Sequence, residues 1–260
     1  MNDLDLDRLH VAWLSSVQHF PSLGSTNDEA RLLAQQTPVM QTSDKQALLI
    51  VADEQTAGRG RGANRWWTGA GSLAFSLLID PAQWQIARED IPLASLAVAA
   101  AVVDVLHDRL PQARVGLHWP NDVFVEQAKI AGILTEGLSD GRLILGVGLN
   151  VNNSVQQAPA ELQTLATSLM DLTDEPHDRT ALLQEILDAV DANFAQLGRQ
   201  PAAVGQYCHA ICLQLGKTLH LDTGAGVVSG ICQGIADDGA LLLETSIGVQ
   251  KYYGGALRQV

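Results

Sequence analysis

Residues 58–67 read GRGRGANRWW, in which Arg59, Arg61 and Arg65 alternate with glycine or polar residues and run up against Trp66 and Trp67. Arginine grips phosphate or carboxylate through paired donors, and a tryptophan face accepts a base or ring. Glycine lets the backbone come close to a ligand. The chain has 16 basic residues against 29 acidic ones, so this local concentration of cations stands out. The stretch reads as a loop that holds a small anionic aromatic ligand such as a nucleotide. Its glycines and mutually repelling arginines predict a loop that orders when an anion arrives. Lys129, one of four lysines, opens the apolar run KIAGIL. The three cysteines, Cys208, Cys212 and Cys232, form no CxxC, and His209 beside them does not complete a metal site.

These residues need elements to position them. STNDEARLLAQQ (25–36) reads as a helix, with Ser25 or Thr26 as cap and Glu29 placed for a capping box with Thr26. Residues 11–23 read as a strand or mixed entry segment. ALLIVAD (47–53) and GSLAFSLLID (71–80) read as buried strands, and 92–109 as a long helix with Pro92 in its first turn. RVGLHW (114–119), VFVE (123–126), KIAGILTEGL (129–138) and RLILGVGLNV (142–151) then form a mostly antiparallel meander. Residues 160–170 and 178–198 read as helices, with a shorter one after Pro201. Beyond about Leu215 short strands alternate with turns such as DTGAG and DDG, the pattern of a small β-barrel.

The totals narrow the function classes. With 260 residues, 47% apolar and 17% charged, the chain is globular with ample core. A net charge of −13 argues against general nucleic-acid binding. The apolar run from Ile91 to Val103 includes Pro92 and is too short to span a bilayer. The N-terminal MNDLDLDRLH lacks a signal core, and the odd cysteine count fits a reducing compartment, so a cytoplasmic location is expected.

Taken in order, STN (25–27), EQTAGRGRG (54–62), WPNDVFVEQAKIAGIL (119–134) and GVGLNVN (146–152) closely resemble the biotin protein ligase family. The likeness runs from about residue 18 to 152, and the terminal β segment fits as well. It implies an α/β (α+β) fold. A mixed-sheet catalytic domain over residues 1–212, similar to class II aminoacyl-tRNA synthetases and biotinyl/lipoyl ligases, would precede an SH3-like β-barrel over 213–260. It also implies a ligase that joins biotin to ATP as biotinoyl-5′-AMP. The enzyme would then pass the biotinoyl group to a lysine of a biotin carboxyl carrier protein. The alternative is a lipoate or octanoate ligase or transferase. Only 24 residues precede Ser25, too few for a winged helix, so the expected type is monofunctional, with neither DNA nor membrane as partner. Homodimerisation is left open.

The resemblance assigns roles residue by residue. Lys129, Arg59 and Arg61 would neutralise the carboxylate and phosphate as they meet. Ser25, Thr26, Asn27 and Gln55 would bind the ureido ring of biotin, which needs donors and acceptors when buried. Gly58 and Gly60, with Gly62, would bring backbone N–H groups to ligand oxygens. Gly132, Leu134, Gly146 and Gly148 would floor the biotin pocket, the glycines leaving room for the bicycle. Trp66 would pack on adenine, with Asn121, Asp122 and Asn150 near the nucleotide, and Trp67 would be structural. Mg²⁺ would be held mainly by phosphates, with Asp122 as the candidate protein ligand. Asp122 could also help take the proton from the attacking amine. Two departures from the family pattern matter: His118 precedes WPND where a lysine is common, and Ala63 and Asn64 replace a glycine and a basic residue.

Overall fold

The segment LASLAVAAAVVDVLHDR is apolar nearly all round, a pattern that suits a helix surrounded by protein. In the computed structural model, which describes residues 4–36 and 47–257, it forms helix α2 (Leu93–Arg109). Pro92 stands at its N-cap, one position earlier than expected. Helix α2 packs on strands β4 (Val115–His118) and β6 (Ala128–Gly137) and against helices α4 (Arg179–Arg199) and α5 (Pro201–Ala210).

The sheet that it covers has seven strands. Besides β4 and β6 these are β1 (Leu14–Leu23), β2 (Ala47–Gln55), β3 (Leu73–Ile79), β5 (Asp122–Val125) and β7 (Leu143–Leu149). Their order is β1-β2-β3-β7-β6-β5-β4, with β1 and β2 parallel and every other neighbour antiparallel. The central strands β3 and β7 are buried along their whole length. Side chains alternate across the sheet. Leu77, Phe75, Leu145 and Val147 join the core around α2. Ile50, Leu78 and Ile144 face the opposite way and pack with Ala30 and Ala34 of helix α1 (Thr26–Gln36). Helix α1 covers only part of that second face. The next cross-strand rows beyond it are Ser76–Gly146–Leu134 and Ala74–Gly148–Gly132–Asp122. Asp122, Gly132, Leu134, Gly146 and Gly148 of these rows line the site.

The second unit is a five-stranded antiparallel sheet, in the order β11-β10-β9-β8-β12. Its strands are β8 (Thr218–Asp222), β9 (Val227–Ile235), β10 (Leu241–Thr245), β11 (Gly248–Tyr252) and β12 (Ala256–Leu257). The chain enters it along the edge of the first sheet. Leu117 of β4 donates to the Ile211 carbonyl, and Leu213 donates back to the Leu117 carbonyl. Gly116 permits this approach, since a Cβ there would lie 2.5 Å from the Ile211 carbonyl oxygen.

Two local expectations are corrected. Residues 160–170 do not form a helix: turns fill 160–165, and helix α3 spans only Leu169–Thr173. The backbone at 165–167 pairs instead with the start of β6, where Lys129 donates to the Leu165 carbonyl and Thr167 donates to the Lys129 carbonyl. The capping box of α1 is also absent. Thr26 is the first helical residue, and its hydroxyl bonds Gln55 while the backbone N–H groups of Asp28 and Glu29 reach the Ser25 carbonyl.

Candidate active site

The β5, β6 and β7 members of these cross-strand rows floor a cleft of about 930 Å³, a size within the range of small-molecule sites. Three glycines on that floor are each covered by a side chain that could do chemistry. A Cβ at Gly146 would lie 2.1 Å from Asn27 Oδ1, and one at Gly148 would lie 2.4 Å from Trp66 Nε1. A Cβ at Gly132 would lie 3.2 Å from Lys129 Nζ and 3.3 Å from Asp122 Oδ1. The glycines therefore make room first for the protein's own functional groups. That changes the expectation that they simply leave space for a bicyclic ligand.

At one end of the cleft the residues that lead into and begin α1 are almost fully buried, with Ser25, Thr26 and Asn27 at 4%, 3% and 2% exposure. Gln55 Oε1 accepts from the Thr26 N–H at 2.8 Å, and its Nε2 donates to Thr68 at 3.3 Å. Ser76 Oγ lies 2.7 Å from Thr26 Oγ1 and 2.6 Å from Asn27 Oδ1. Asn27 Nδ2 donates to the Glu136 carboxylate at 2.7 Å and to the Leu134 carbonyl at 3.3 Å. Ser25, Thr26, Asn27, Gln55, Gly132, Leu134, Gly146 and Gly148 all line the cleft, so the expected binding residues converge on one space.

The 58–67 stretch arches over this floor as a small hairpin. Gly60 donates to the Asn64 carbonyl, Trp66 donates to the Gly58 carbonyl, and Arg59 bridges Arg65. The N–H of Gly60 is thus occupied within the loop, contrary to the expectation that it faces ligand. Gly58 lies outside the cleft wall and is glycine because a Cβ would stand 2.5 Å from the Trp66 carbonyl oxygen. The arginines also have partners within the protein. Arg59 forms a two-pronged ion pair with Glu136, at 3.1 and 2.7 Å, and reaches Asp28 at 2.8 Å. Arg61 donates to Asn121 Oδ1 at 3.5 Å and to the Gly255 carbonyl of the second sheet at 3.2 Å.

Lys129 meets Asp122 at 2.7 Å and stands 5.6 Å from the centre of the Trp66 ring, within cation–π range. The buried Nε1–H of Trp66 has no hydrogen-bond partner among the described residues. Asn121 Nδ2 donates to the Ile133 carbonyl, which fixes its side chain at the cleft wall. Trp67 packs on Gly69, as its structural reading requires. Asn150 lies apart from the cleft. Its amide donates to the Thr167 carbonyl and accepts from Asn153, tying the 165–169 segment to the sheet. These bonds hold its side chain within the fold, and it is not among the residues that line the cleft.

Two features were missed by sequence reasoning. Glu136 lies on the pocket face of β6, and the alternation Gly132, Leu134, Glu136 could have pointed to it. Its carboxyl is pushed up by burial and pulled down further by hydrogen bonds from Arg59 and Asn27 and the charges of Arg59 and Arg31, so it titrates below its ordinary value. The second feature is the wall supplied by the small sheet, where Lys217, Thr218 and Gly255 line the cleft. No local signal marks these residues. His118, stacked on Phe124 with ring centres 3.8 Å apart, also faces the cleft. Burial, then the charges of Lys217 and Lys129, lower its pKa to about 4, so a neutral imidazole stands where a fixed cation is common.

Comparison with known proteins fits this geometry. Residues 20–152 match the model of the biotin/lipoate A/B protein ligase family, and residues 215–256 match the biotin protein ligase C terminal domain. The chain is 34% identical over 213 residues to the bifunctional ligase/repressor BirA of Bacillus subtilis, covering 79% of itself and 64% of that protein. It thus spans somewhat under two thirds of that relative's length. It is also 34% identical over 224 residues to the biotin--[acetyl-CoA-carboxylase] ligase of Mycobacterium tuberculosis, covering 85% of itself and 80% of that protein. The biotin protein ligase of Aquifex aeolicus, solved in complex with biotin and ATP, superposes with a TM-score of 0.79 at 27% identity, covering 95% of this chain and 100% of that one. With a family match over half of its length and a relative 34% identical that it covers over 80%, the chain belongs to the biotin/lipoate A/B protein ligase family.

Proposed function

We propose that this protein is an ATP-dependent ligase that activates biotin as biotinoyl-5′-AMP and transfers it to a lysine of a biotin carboxyl carrier protein. The observation that carries the reading is the placement of Lys129 and Trp66 beside a polar pocket built from Ser25, Thr26, Asn27 and Gln55. That end of the cleft offers both donors and acceptors, which a buried ureido group requires. A lipoyl or octanoyl tail has no such ring, and this favours biotin. The likeness to biotin protein ligases, and to one solved with biotin and ATP, supports the same choice.

In this reading the biotin carboxylate and the α-phosphate of ATP meet near Lys129, which holds oxygens of both. Carboxylate oxygen attacks phosphorus, the α–β phosphoanhydride bond breaks and pyrophosphate leaves. Lys129 and Arg61 offset the negative charge that gathers during this step. The Trp66 Nε1–H, buried over Gly148, lacks a partner among the described residues, and in this reading a small shift of the loop on binding lets a ligand oxygen satisfy it. Mg²⁺ bound to the phosphates would supply further neutralising charge, and Asp122 is the cleft carboxylate that could help hold it. In the second step the carrier amine attacks the acyl carbon, AMP leaves and the amine proton is lost; in this reading Asp122 is the carboxylate that helps take it. We further propose that the division into a catalytic part (1–212) and a C-terminal part (213–260) is functional, with Lys217 and Gly255 closing the nucleotide side.

The test is incubation of the protein with biotin, ATP, Mg²⁺ and a carrier domain, followed by intact-mass measurement. The carrier should gain the mass of one biotinoyl group, and only when ATP is present. A carrier that gains lipoyl or octanoyl mass and never biotin would overturn the assignment.

A further inference from the structure

Glu136 is the point where helix α1, the arginine loop and the sheet floor converge. Its carboxylate accepts from Asn27 Nδ2 at 2.7 Å, from Arg59 at 2.7 and 3.1 Å, and from Arg31 at 3.0 Å. An ionised carboxylate can only accept hydrogen bonds, and so can the Leu134 carbonyl. These are the two partners on that side of the Asn27 amide. They therefore force its NH₂ toward Glu136 and leave Oδ1 over Gly146, on the floor of the cleft, where it accepts from Ser76 Oγ at 2.6 Å and keeps a second lone pair. A glutamine at 136 could donate or accept, so only the 3.3 Å bond to the Leu134 carbonyl and the Ser76 hydroxyl would still favour this orientation of the Asn27 amide.

We propose that Glu136 is the positioning residue of the ureido pocket: it fixes Asn27 as a hydrogen-bond acceptor for a ligand N–H and anchors the arginine loop through Arg59 at the same point. The inference rests on the biotin reading above. It gives the pocket a polarity, since an N–H at this position of the ligand is accepted and a carbonyl oxygen would face the Asn27 oxygen and be rejected. It also accounts for the cost of burying Glu136, which the Asn27, Arg59 and Arg31 hydrogen bonds together offset. Arg59, held here, acts as the hinge pin of the loop while Arg61 and Lys129 face the anions.

The test is biotin binding to the full chain by calorimetry, with thermal midpoint and KM for ATP measured alongside. Glu136→Gln is expected to weaken biotin by about tenfold, as for loss of one charged hydrogen bond, and to raise KM for ATP by a clearly smaller factor through the loosened loop. Asn27→Asp sets two carboxylates against each other and should weaken biotin further. The double variant Asn27→Asp with Glu136→Gln restores a donor facing an acceptor and still presents oxygen to the ligand, so it should bind biotin at least about tenfold tighter than Asn27→Asp alone. A merely structural Glu136 would lower the thermal midpoint without separating biotin from ATP. Biotin binding by Glu136→Gln within about twofold of the parent, or a double variant no tighter than Asn27→Asp, would overturn the role of Glu136 alone. A parent chain that binds no biotin would overturn the ligand reading and this proposal with it. Should either single variant fail to fold, the double variant decides. Biotin binding within about tenfold of the parent supports the proposal, and binding more than about a hundredfold weaker overturns it.

Discussion

At the scale of single residues the site separates into groups that meet charge and groups that define shape. Lys129 belongs to the first. Its ammonium is paired with Asp122 and little apolar packing depends on it, so Lys129→Ala should fold normally. It should slow pyrophosphate release by about 100–1,000-fold, the usual loss for one preorganised donor. Steady-state kinetics would check this, and a rate within about threefold of the parent would remove Lys129 from the chemistry. The glycines belong to the second group and divide by what they carry. Gly146→Ala collides with the Asn27 amide and should raise KM for biotin, whereas Gly148→Ala collides with the Trp66 indole and should raise KM for ATP. The same direction of change for both substrates in both variants would contradict the assignment of the two rows. The sequence made Lys129, Asp122 and the STN segment legible because their motifs are local and ordered. Glu136 was passed over because its importance comes from partners on α1 and the loop, far from it along the chain.

At the scale of elements, hydrophobic period carried most of the reading. The continuous apolar runs of β3 and β7 and the all-round apolar α2 are where the sequence places them. The failure at 160–170 is instructive. Its composition suits a helix, but Lys129 offers backbone partners from across the fold, and non-local pairing overrides a weak local preference. The arginine loop shows a related limit. Sequence charge alone predicts arginines that repel one another until an anion arrives, yet Arg59 is neutralised by Glu136 and Asp28. The hinge end of the loop should therefore be protected before ligand binds, and the tip around 61–64 should gain protection afterwards. Hydrogen exchange with and without biotin plus ATP would show this as a gradient. Equal, strong protection at hinge and tip in both states would mean a preformed loop and no closure.

At the scale of the whole molecule, the small sheet completes the wall of the cleft, so local chemistry and global stability share residues. His118 sits at that junction, between Lys129 and Lys217. The fold favours its neutral ring. Its folded pKa, lowered to about 4, lies below the ordinary 6.5. The stability it contributes is present above pH 6.5. It is lost as pH falls, beginning where the unfolded chain takes up a proton and complete below about 4, where the folded ring does too. Glu136 adds a loss of the same sign, further into acid, because its pKa is also lowered. His118→Phe keeps the stack on Phe124 without the titration, so its thermal midpoint should fall less than the parent's between pH 6.5 and 4. Parallel curves for the two proteins would contradict the burial of a neutral His118. Of this junction only His118 was legible in the sequence: the small sheet reads as a separate unit by its turns, while Lys217 and Gly255 reach the cleft only through the way that unit docks.

The central claim is that this cleft joins biotin to ATP, and biotin-dependent exchange of labelled pyrophosphate into ATP tests it most directly, because no carrier protein is involved. With Mg²⁺ present, the parent chain should exchange label only when biotin is added, lipoate and octanoate should not replace it, and Lys129→Ala should lower the rate by about 100-fold or more. Exchange that is absent with biotin, or equally fast with lipoate, would contradict the account.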